Sequence, residues 1–456
     1  MKKTLRKILS VGMCAAISVT MAVPAFAGKG VDYKISNPYA SVENLLGNPD
    51  NHYKTNLHTH STLSDADTDF SDMIKEHYNQ DFDILGFADH GVMGRYWNEK
   101  QVELPIYLYQ KIIGNKVTKL TDDEYNGITG GTYPSEENRR TKSRGMQCVP
   151  QGIELNMVTM TKSHVNGYFC DFGENDIGFE NGYEYAVKNV DKAGGISVIN
   201  HPGDWIGSST NYNKARDIKY VRLFGDILNK YESCQGIEIL NGKDKVTKAD
   251  RILWDELLQY VIPHGKRTVW GFGNSDAHNF GEIDTSFMDF ILPEYSLENV
   301  KSTMMNGNFF AIGRRARIEL GDDFKGTGAY PTVTSIRVDE NNDTITVTGK
   351  DAYVIQWIAN GNIIEQSTEK NSKGEIVSTI KLREHVSDIT CYVRFQLLGD
   401  GGICCAQPFT CDDGNMSSYI IEDTRTQAQK NWDAFFYNIK SLRFFALFEV
   451  LYKKIF

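Results

Sequence analysis

Cysteine is scarce in this chain, and its spacing suits neither of its usual structural roles. Only eight of the 456 residues are cysteine, and no two of them are spaced as C-x-x-C, so a thiolate zinc knuckle is not supported. Seven remain if Cys14 is removed with a leader peptide, and an odd number cannot all pair internally. The sequence is therefore not a disulfide scaffold, although one bridge between Cys391 and Cys411 stays open.

The chain also lacks a basic excess and a strongly hydrophobic character. Lys and Arg total 49 against 59 Asp and Glu, a formal net charge of −10. A general nucleic-acid binder needs a clustered basic surface instead. The mean hydropathy of −0.40 excludes a protein with many membrane spans. What is present is 41 % hydrophobic residues, enough to build cores, and the length favours two or three globular units.

Residues 1–27 have the pattern of a secretory signal peptide. A basic start precedes the apolar stretch 8–23, and Ala25-Phe26-Ala27 forms an A-x-A cleavage site. Cleavage would remove four basic and no acidic residues, which changes the formal net charge from −10 to −14. We therefore expect a secreted or extracytoplasmic protein, with the outer membrane face or the cell surface as an alternative location.

Residues 53–325, which follow an aperiodic segment over 28–52, alternate between β-rich runs and amphipathic stretches. Such alternation is typical of βαβ units around a mostly parallel sheet or barrel. The polar stretch 98–146 interrupts this rhythm and is predicted to be an insertion, either a lid or a solvated loop. The predicted strands are Lys54–Leu57, Ile84–Ala88, Val149–Leu155, Gly167–Phe172, Ile196–Asn200, Gly236–Leu240 and Thr268–Gly273; the predicted helices are Asp72–Tyr78, Tyr183–Ala193 and Lys248–Val261.

The pattern changes to short alternating strands over 330–412, with turn signals such as Asn360-Gly361 between them. This pattern predicts a small β-sandwich. The tail, 419–456, is predicted to be an amphipathic helix, because nine of its last 25 residues are aromatic and basic residues outnumber acidic ones. Its longest apolar run, Phe444–Phe448, is too short to span a bilayer. The tail either associates with a membrane surface or packs on the protein.

Histidine placement is the most informative feature of the sequence. Six of the ten histidines occur in compact polar motifs at the ends of predicted strands. An H-x-H pair at a strand end directs both imidazoles to one face, and parallel strands end at one mouth, where active sites lie. The motifs supply more nitrogen and oxygen donors than one zinc ion needs, so they predict two or three divalent ions at a hydrolytic centre. The nine donors are His58, His60, Asp65, His90, Glu154, His164, His201, Asp276 and His278.

These motifs resemble the PHP (polymerase and histidinol phosphatase) superfamily, and more closely its carbaryl-hydrolase-like branch of metal-dependent phosphoesterases. The resemblance covers residues 53–320 and implies an α/β fold, a distorted (β/α)₇ barrel, that holds two or three Zn²⁺, Mn²⁺ or Fe²⁺ ions. The β-sandwich and the C-terminal helix follow it. The motifs are His58-Thr59-His60 with Ser64-Asp65, Ala88-Asp89-His90, Gly152-Ile153-Glu154, His164-Val165-Asn166-Gly167, Asn200-His201-Pro202 and Ser275-Asp276-Ala277-His278.

The resemblance also implies a role for each donor. A metal-bridging hydroxide, supported by Glu154 and Asp276, would be the nucleophile. Three nearby residues, Asp89, Asn156 and Asn200, would orient ligands without binding metal. His58, His60, Glu154 and Asp276 would hold one ion; Glu154, His164 and His201 a second; and Asp65, His90 and His278 a third.

Together these features predict a secreted metal-dependent phosphoesterase that hydrolyses a small phosphate mono- or diester. Two alternatives stay open: a carbamate or carboxylic ester hydrolase on the same metal centre, and a non-catalytic surface-binding protein. A nucleic-acid scaffold role is not expected, because the chain is exported and acidic. Additional phosphate contacts are predicted for Arg139, Arg140, Arg144, Arg314 and Arg315.

Overall fold

The computed structural model describes residues 31–101, 117–156, 163–174, 176, 182–265 and 267–442. The predicted signal peptide, part of the predicted insertion and the end of the tail lie outside these residues. Among the described helices, none combines the length and the hydropathy that crossing a bilayer requires.

Strands and helices alternate as far as residue 320, and strands follow almost without interruption to residue 412. The helices are α1 (Phe70–Asn79), α2 (Asp122–Gly130), α3 (Tyr183–Lys192), α4 (Pro202–Ile206), α5 (Ile218–Lys230), α6 (Asp250–Gly265), α7 (Leu297–Asn306), α8 (Arg317–Leu320) and α9 (Gln427–Lys440). The strands are β1 (Lys34–Ser36), β2 (His52–Asn56), β3 (Ile84–Leu85), β4 (Gln147–Cys148), β5 (Gly152–Leu155), β6 (Val165–Tyr168), β7 (Ile196–Ile199), β8 (Cys234–Asn241), β9 (Trp270–Asn274), β10 (Ser286–Ile291), β11 (Phe309–Gly313), β12 (Thr332–Asp339), β13 (Thr344–Lys350), β14 (Val354–Ala359), β15 (Asn362–Ser367), β16 (Ile376–Lys381), β17 (Tyr392–Gly399), β18 (Gly402–Cys405) and β19 (Phe409–Asp412).

The α/β part of the molecule is built on two mixed sheets. One runs β5-β6-β7-β8-β9, with β6 antiparallel to both of its neighbours and the remaining pairs parallel. The other, an eleven-stranded sheet, contains β11-β10-β2-β3-β4. Helices α5 and α6 pack on β8, all of whose residues are buried, and α3 packs on β6 and β7. The α/β class predicted from the sequence is therefore confirmed.

The predicted (β/α)₇ barrel is wrong in detail, because the described strands close no barrel. In a closed barrel β2 would pair with β9. The edge of β2 that this pairing would use is occupied by β10, which pairs antiparallel with β2. Isolated parallel bridges, Thr59 to Ala277 and His90 to Glu154, connect the two sheets. Three of the bridging residues lie beyond strand ends and the fourth, Glu154, lies within β5, so the two sheets approach each other where the predicted metal ligands are located.

The strands over 330–412 form two packed layers that continue into the α/β part. The sheet β12-β13-β16 faces β14, β15 and β17, and the indole nitrogen of Trp357 donates to Ser378 Oγ across the layers at 2.8 Å. A hairpin joins β14 to β15, with Asn360 and Gly361 both at positive φ, as the turn signal predicts. The predicted boundary is crossed, however, because β18 pairs with β11 as well as with β17.

The described part of the predicted insertion is folded against α1. Leu120, Ile128 and Met146 are fully buried and anchor this part of the segment to the core, whereas most of its other residues are exposed or half-buried. The seven cysteines outside the predicted signal peptide are buried free thiols, and the bridge between Cys391 and Cys411 is therefore not formed.

Candidate metal centre

All nine predicted donors lie at one end of the two sheets. His58 and His60 follow β2, His90 follows β3, and His201 follows β7. Asp276 and His278 follow β9, Glu154 lies within β5, and His164 directly precedes β6. Asp65 lies in the loop between β2 and α1. Two of these positions have left-handed backbone conformations, His201 at φ 28° and Asp276 at φ 49°. Such a conformation costs a non-glycine residue about 1 kcal/mol or more and is concentrated at functional sites.

Glu154 is the centre of the cluster. Its carboxylate is buried, and ring nitrogens of five histidines lie 3.1–3.4 Å from its two oxygens. The closest approaches are His90 Nδ1 to Oε2 at 3.1 Å and His164 Nδ1 to Oε1 at 3.2 Å. A single carboxylate surrounded in this way can bridge two cations. The five histidines are His58, His60, His90, His164 and His201.

The spacing of the donors suits a coordinated ion. Ligands about 2.1 Å from a tetrahedral zinc ion lie about 3.4 Å from one another. His58 Nε2 and His60 Nε2 are 3.2 Å apart, and they lie 3.3 and 3.0 Å from Asp276 Oδ1. In addition, the buried ring nitrogen His90 Nδ1 makes no hydrogen bond. A buried nitrogen without a hydrogen-bond partner, beside a carboxylate, is the arrangement that a bound cation satisfies. The residues present therefore fit divalent metal ions.

The grouping of the donors differs from the predicted one. Four sets of three donors could each hold an ion, and His60 and His58 belong to more than one of them. His90 joins His60 and Glu154, whereas the prediction groups it with Asp65 and His278. His164 belongs to none of the sets and contacts Glu154. The sets are His58, Glu154 and His201; His58, His60 and Asp276; His60, His90 and Glu154; and His60, Asp65 and His278.

The cluster opens to solvent on one side. The side chains of Asp65 and His278 are 39 % and 33 % exposed, whereas those of His58 and His60 are fully buried. His278 Nε2 lies 3.4 Å from Asp65 Oδ1, and this pair forms the rim of the opening. A substrate would reach the centre from this side.

Carboxylates and imidazoles in the cluster shift one another's pKa values. Burial lowers the pKa of His60, but hydrogen bonds and charge from Asp276 and Glu154 outweigh it and raise that pKa to about 10. For His90 burial outweighs Glu154 and lowers the pKa to about 3. Burial favours a neutral Glu154, yet the surrounding imidazoles hold its pKa well below the usual value. Protons on the imidazoles thus balance the negative charge of the carboxylates, and a divalent cation can take the place of those protons.

One of the three predicted orienting residues contacts a ligand directly, and a second reaches a ligand through a serine hydroxyl. Asn200 Nδ2 donates to Glu154 Oε1 at 2.7 Å. Asp89 accepts from the Ser64 hydroxyl at 2.6 Å, and that hydroxyl lies 3.3 Å from His60 Nδ1. Asn156 differs, because its amide donates to the backbone carbonyls of Ser163 and Gly182. It holds instead the backbone that leads to His164.

The sequence reasoning missed Glu238 in β8. Its carboxylate is completely buried and lies 2.7 Å from Nδ1 of His58, which turns Nε2 of that ring toward the cluster. The amides of Asn241 and Asn274 donate to the same carboxylate at 2.8 and 3.1 Å. The available signal is a lone carboxylate in the otherwise apolar run Gly236–Leu240.

Four of the five predicted phosphate contacts are structural instead. Arg139 forms two hydrogen bonds with Glu76, and Arg140 donates to the carbonyls of Tyr78 and Phe82. Guanidinium groups satisfy carboxylates and backbone carbonyls as well as phosphates, so the sequence cannot separate these roles. Arg315 alone of the five forms no hydrogen bond or ion pair with a described residue. Arg144 donates to the carbonyls of Asp50 and His52. Arg314 donates to the carboxylate of Asp284 and to two glycine carbonyls.

No protein-family model matches the sequence, and no curated protein matches it. Among solved structures, the chain is similar to a two-domain protein from Bacteroides vulgatus that contains a predicted PHP-like metal-dependent phosphoesterase. The two chains are 14 % identical, the TM-score is 0.38, and the match covers 84 % of this chain and 99 % of the other. A likeness at this level carries no argument about function, which therefore depends on the geometry of the histidine and carboxylate cluster.

Proposed function

We propose that this chain is a secreted metal-dependent hydrolase that cleaves phosphate esters. The observation that carries the proposal is the gathering of imidazole and carboxylate donors around Glu154, at spacings that suit divalent ions. A structural zinc site is closed by its protein ligands, whereas this cluster is open at Asp65 and His278. An open site with shared ligands favours catalysis over a structural role.

The chain's own residues hold the site in a fixed arrangement. When bound, divalent ions would neutralise a phosphoryl group and activate water for attack on it. Asn200 fixes Glu154 and Glu238 fixes His58, so both ligands are oriented before substrate arrives. Arg315, which follows β11 and has no described polar partner, is the remaining candidate for contact with the phosphate.

The test is hydrolysis of p-nitrophenyl phosphate, its bis-ester, and matched carboxylic and carbamate esters, using protein stripped of metal and reloaded with Mn²⁺ or Zn²⁺. We expect Asp65→Asn and His278→Ala to lower kcat on phosphate esters by about 100-fold or more. Both residues are partly exposed, so their replacement should leave the fold intact. His385→Ala, which removes a histidine of the C-terminal layers, is the matched control and should leave kcat unchanged.

The other outcomes each contradict part of the proposal. Hydrolysis of carbamates or carboxylic esters without phosphate esters would reject the substrate class. Failure to bind any divalent ion would reject the hydrolase altogether and favour a surface-binding protein. Secretion has its own test, because protein recovered outside the cell should begin at Gly28.

A further inference from the structure

Helix α9 carries a stripe of aromatic residues that the described part of the chain leaves about half exposed. Trp432, Phe435 and Phe436 are spaced i, i+3 and i+4, and this spacing places them on one helix face. They are 62 %, 52 % and 44 % exposed. Their ring centroids lie 4.9–5.8 Å apart, so the three rings form one continuous patch. Leu442, which follows the helix, is 41 % exposed.

The helix is attached to the protein by a different face. Tyr437 packs on Trp205 with a centroid distance of 6.0 Å, and its hydroxyl accepts from the backbone N–H of Glu184. Asp433 accepts from Arg425 at 2.8 Å. No residue of α9 is buried. A surface helix of a globular protein normally turns its apolar stripe inward, and α9 is held in the opposite orientation.

The sequence of α9 and of the residues that follow it has a net charge opposite in sign to that of the whole chain. Residues 427–456 contain five basic and two acidic residues, although the formal net charge of the chain is −10. Lys430 and Lys440 lie within the helix itself, and Lys440 Nζ is 5.4 Å from the Trp205 ring. Of the 14 residues that follow Leu442, ten are apolar and three are basic. An acidic chain is repelled on average by an anionic surface, and the basic residues of this segment oppose that repulsion.

We propose that α9 binds the interface of an anionic lipid bilayer, with Trp432, Phe435 and Phe436 inserted at the level of the headgroups. Aromatic residues prefer this depth, and basic residues beside an apolar stripe add attraction to anionic lipids. The helix would lie in the plane of the surface, and the protein would be peripheral to the membrane. The inference does not depend on the proposed hydrolase activity.

The test is flotation of the full chain with vesicles of phosphatidylcholine alone or mixed in equal parts with phosphatidylglycerol, at low and at high salt. We expect binding to the mixed vesicles, weakened by salt because exposed charges are screened. The triple variant Trp432→Ala, Phe435→Ala, Phe436→Ala should reduce the partition coefficient by about tenfold or more. These side chains fill no core, so circular dichroism should show a folded variant.

A matched triple variant distinguishes vesicle binding through the aromatic patch from vesicle binding through exposed apolar residues in general. Met305→Ala, Ile363→Ala, Val386→Ala removes residues of similar exposure, 40–47 %, elsewhere on the molecule and should bind vesicles normally. Equal binding of the α9 variant and the parent chain would overturn the proposal. The proposal would also be overturned if the protein were monomeric and bound no vesicles, which would mean that other residues of the same chain cover the aromatic stripe of α9. Dimerisation abolished by the α9 variant, without vesicle binding, would assign the stripe to a second copy of this chain.

Discussion

At the scale of single residues, the metal centre depends on groups that are not themselves among the nine donors. Glu238 is the clearest case, since it is fully buried and its carboxylate contacts Nδ1 of His58 at 2.7 Å. Two amides, from Asn241 and Asn274, satisfy the remaining capacity of that carboxylate. A carboxylate behind a histidine fixes the tautomer and the orientation of the ring and makes the ring a better ligand.

We therefore expect Glu238→Gln to weaken metal binding by about 10- to 100-fold while the chain stays folded. Glutamine keeps the shape of the side chain but removes the negative charge behind His58. The measurement is the metal dissociation constant, from competition with a chelator, together with the pH at which half of the metal is lost. That pH should rise, because protons displace a more weakly bound cation from the histidines at a higher pH.

Glu365→Gln provides the matched control. Glu365 lies 2.9 Å from His385 in the C-terminal layers, an equivalent carboxylate–histidine contact far along the chain from the cluster. Its replacement should leave metal binding unchanged. If Glu238→Gln binds metal as tightly as the parent chain, Glu238 does not position His58 and only fills space in the core.

At the scale of elements, a neutral histidine joins α1 to the strand that carries the metal ligands. His77 Nδ1 donates to the carbonyl of Met73 at 2.8 Å, which leaves Nε2 to accept from Asn56 Nδ2 at 3.1 Å. Asn56 ends β2 and also accepts from the backbone N–H of His58. Burial lowers the pKa of His77 to about 4, so the ring stays neutral in the folded protein.

This shift predicts a loss of stability in acid. The unfolded chain takes up a proton on His77 below pH 6.5, whereas the folded protein does so only near pH 4. The free energy of unfolding should therefore fall by about 3 kcal/mol between pH 6.5 and pH 4 on account of this residue. Urea unfolding of metal-free protein measures the effect, and His77→Gln should show a shallower decline over this range.

A second histidine gives a control of opposite sign. Burial also acts to lower the pKa of His52, but the charge and hydrogen bond of Asp289, 2.7 Å away, outweigh burial and raise it. His52 therefore stabilises the fold below pH 6.5, and this contribution is lost as the pH rises through its folded pKa. His52→Gln should destabilise the acidic form more than the alkaline form. Identical pH profiles for the His77 and His52 variants would contradict both assignments.

Some of these elements could be predicted from the sequence, and others could not. The alternation of strands and helices predicts β5 to β9 together with α3 and α6, but not α5, which packs on β8. The strand-end motifs predict which residues meet at the metal centre. Closure of a barrel could not be predicted, because it depends on whether β2 pairs with β9 or with β10, and the residue pattern of a strand does not specify its partner. Glu238 was missed because a buried carboxylate has meaning only once its partner, His58, is known.

At the scale of the whole molecule, the C-terminal strands and the α/β part share one sheet and a buried ion pair. β18 joins the two through its pairing with β11. Arg394 on β17 forms two hydrogen bonds, each of 2.7 Å, with Asp255 on α6. The Gln407 side chain adds two hydrogen bonds to the backbone of Gly271, at 2.8 and 2.9 Å. These contacts predict that both parts unfold together.

Arg394→Met tests this coupling. The substitution leaves Asp255, 4 % exposed, as a buried charge without its cation. Loss of one partner from a buried pair costs about 3–5 kcal/mol. We expect one unfolding transition in both proteins, at a lower urea concentration in the variant, and followed equally by tryptophan fluorescence and by loss of bound metal.

Lys381→Met is the matched control, because it breaks the exposed pair with Glu384, whose nitrogen and oxygen lie 2.9 Å apart. An exposed pair contributes about 1 kcal/mol or less, so this variant should unfold close to the parent chain. Two separate transitions, with Arg394→Met shifting only one of them, would show that the C-terminal layers fold independently of the metal centre. A single shifted transition would instead mean that the ligands around Glu154 are held in place by contacts that reach across the whole chain.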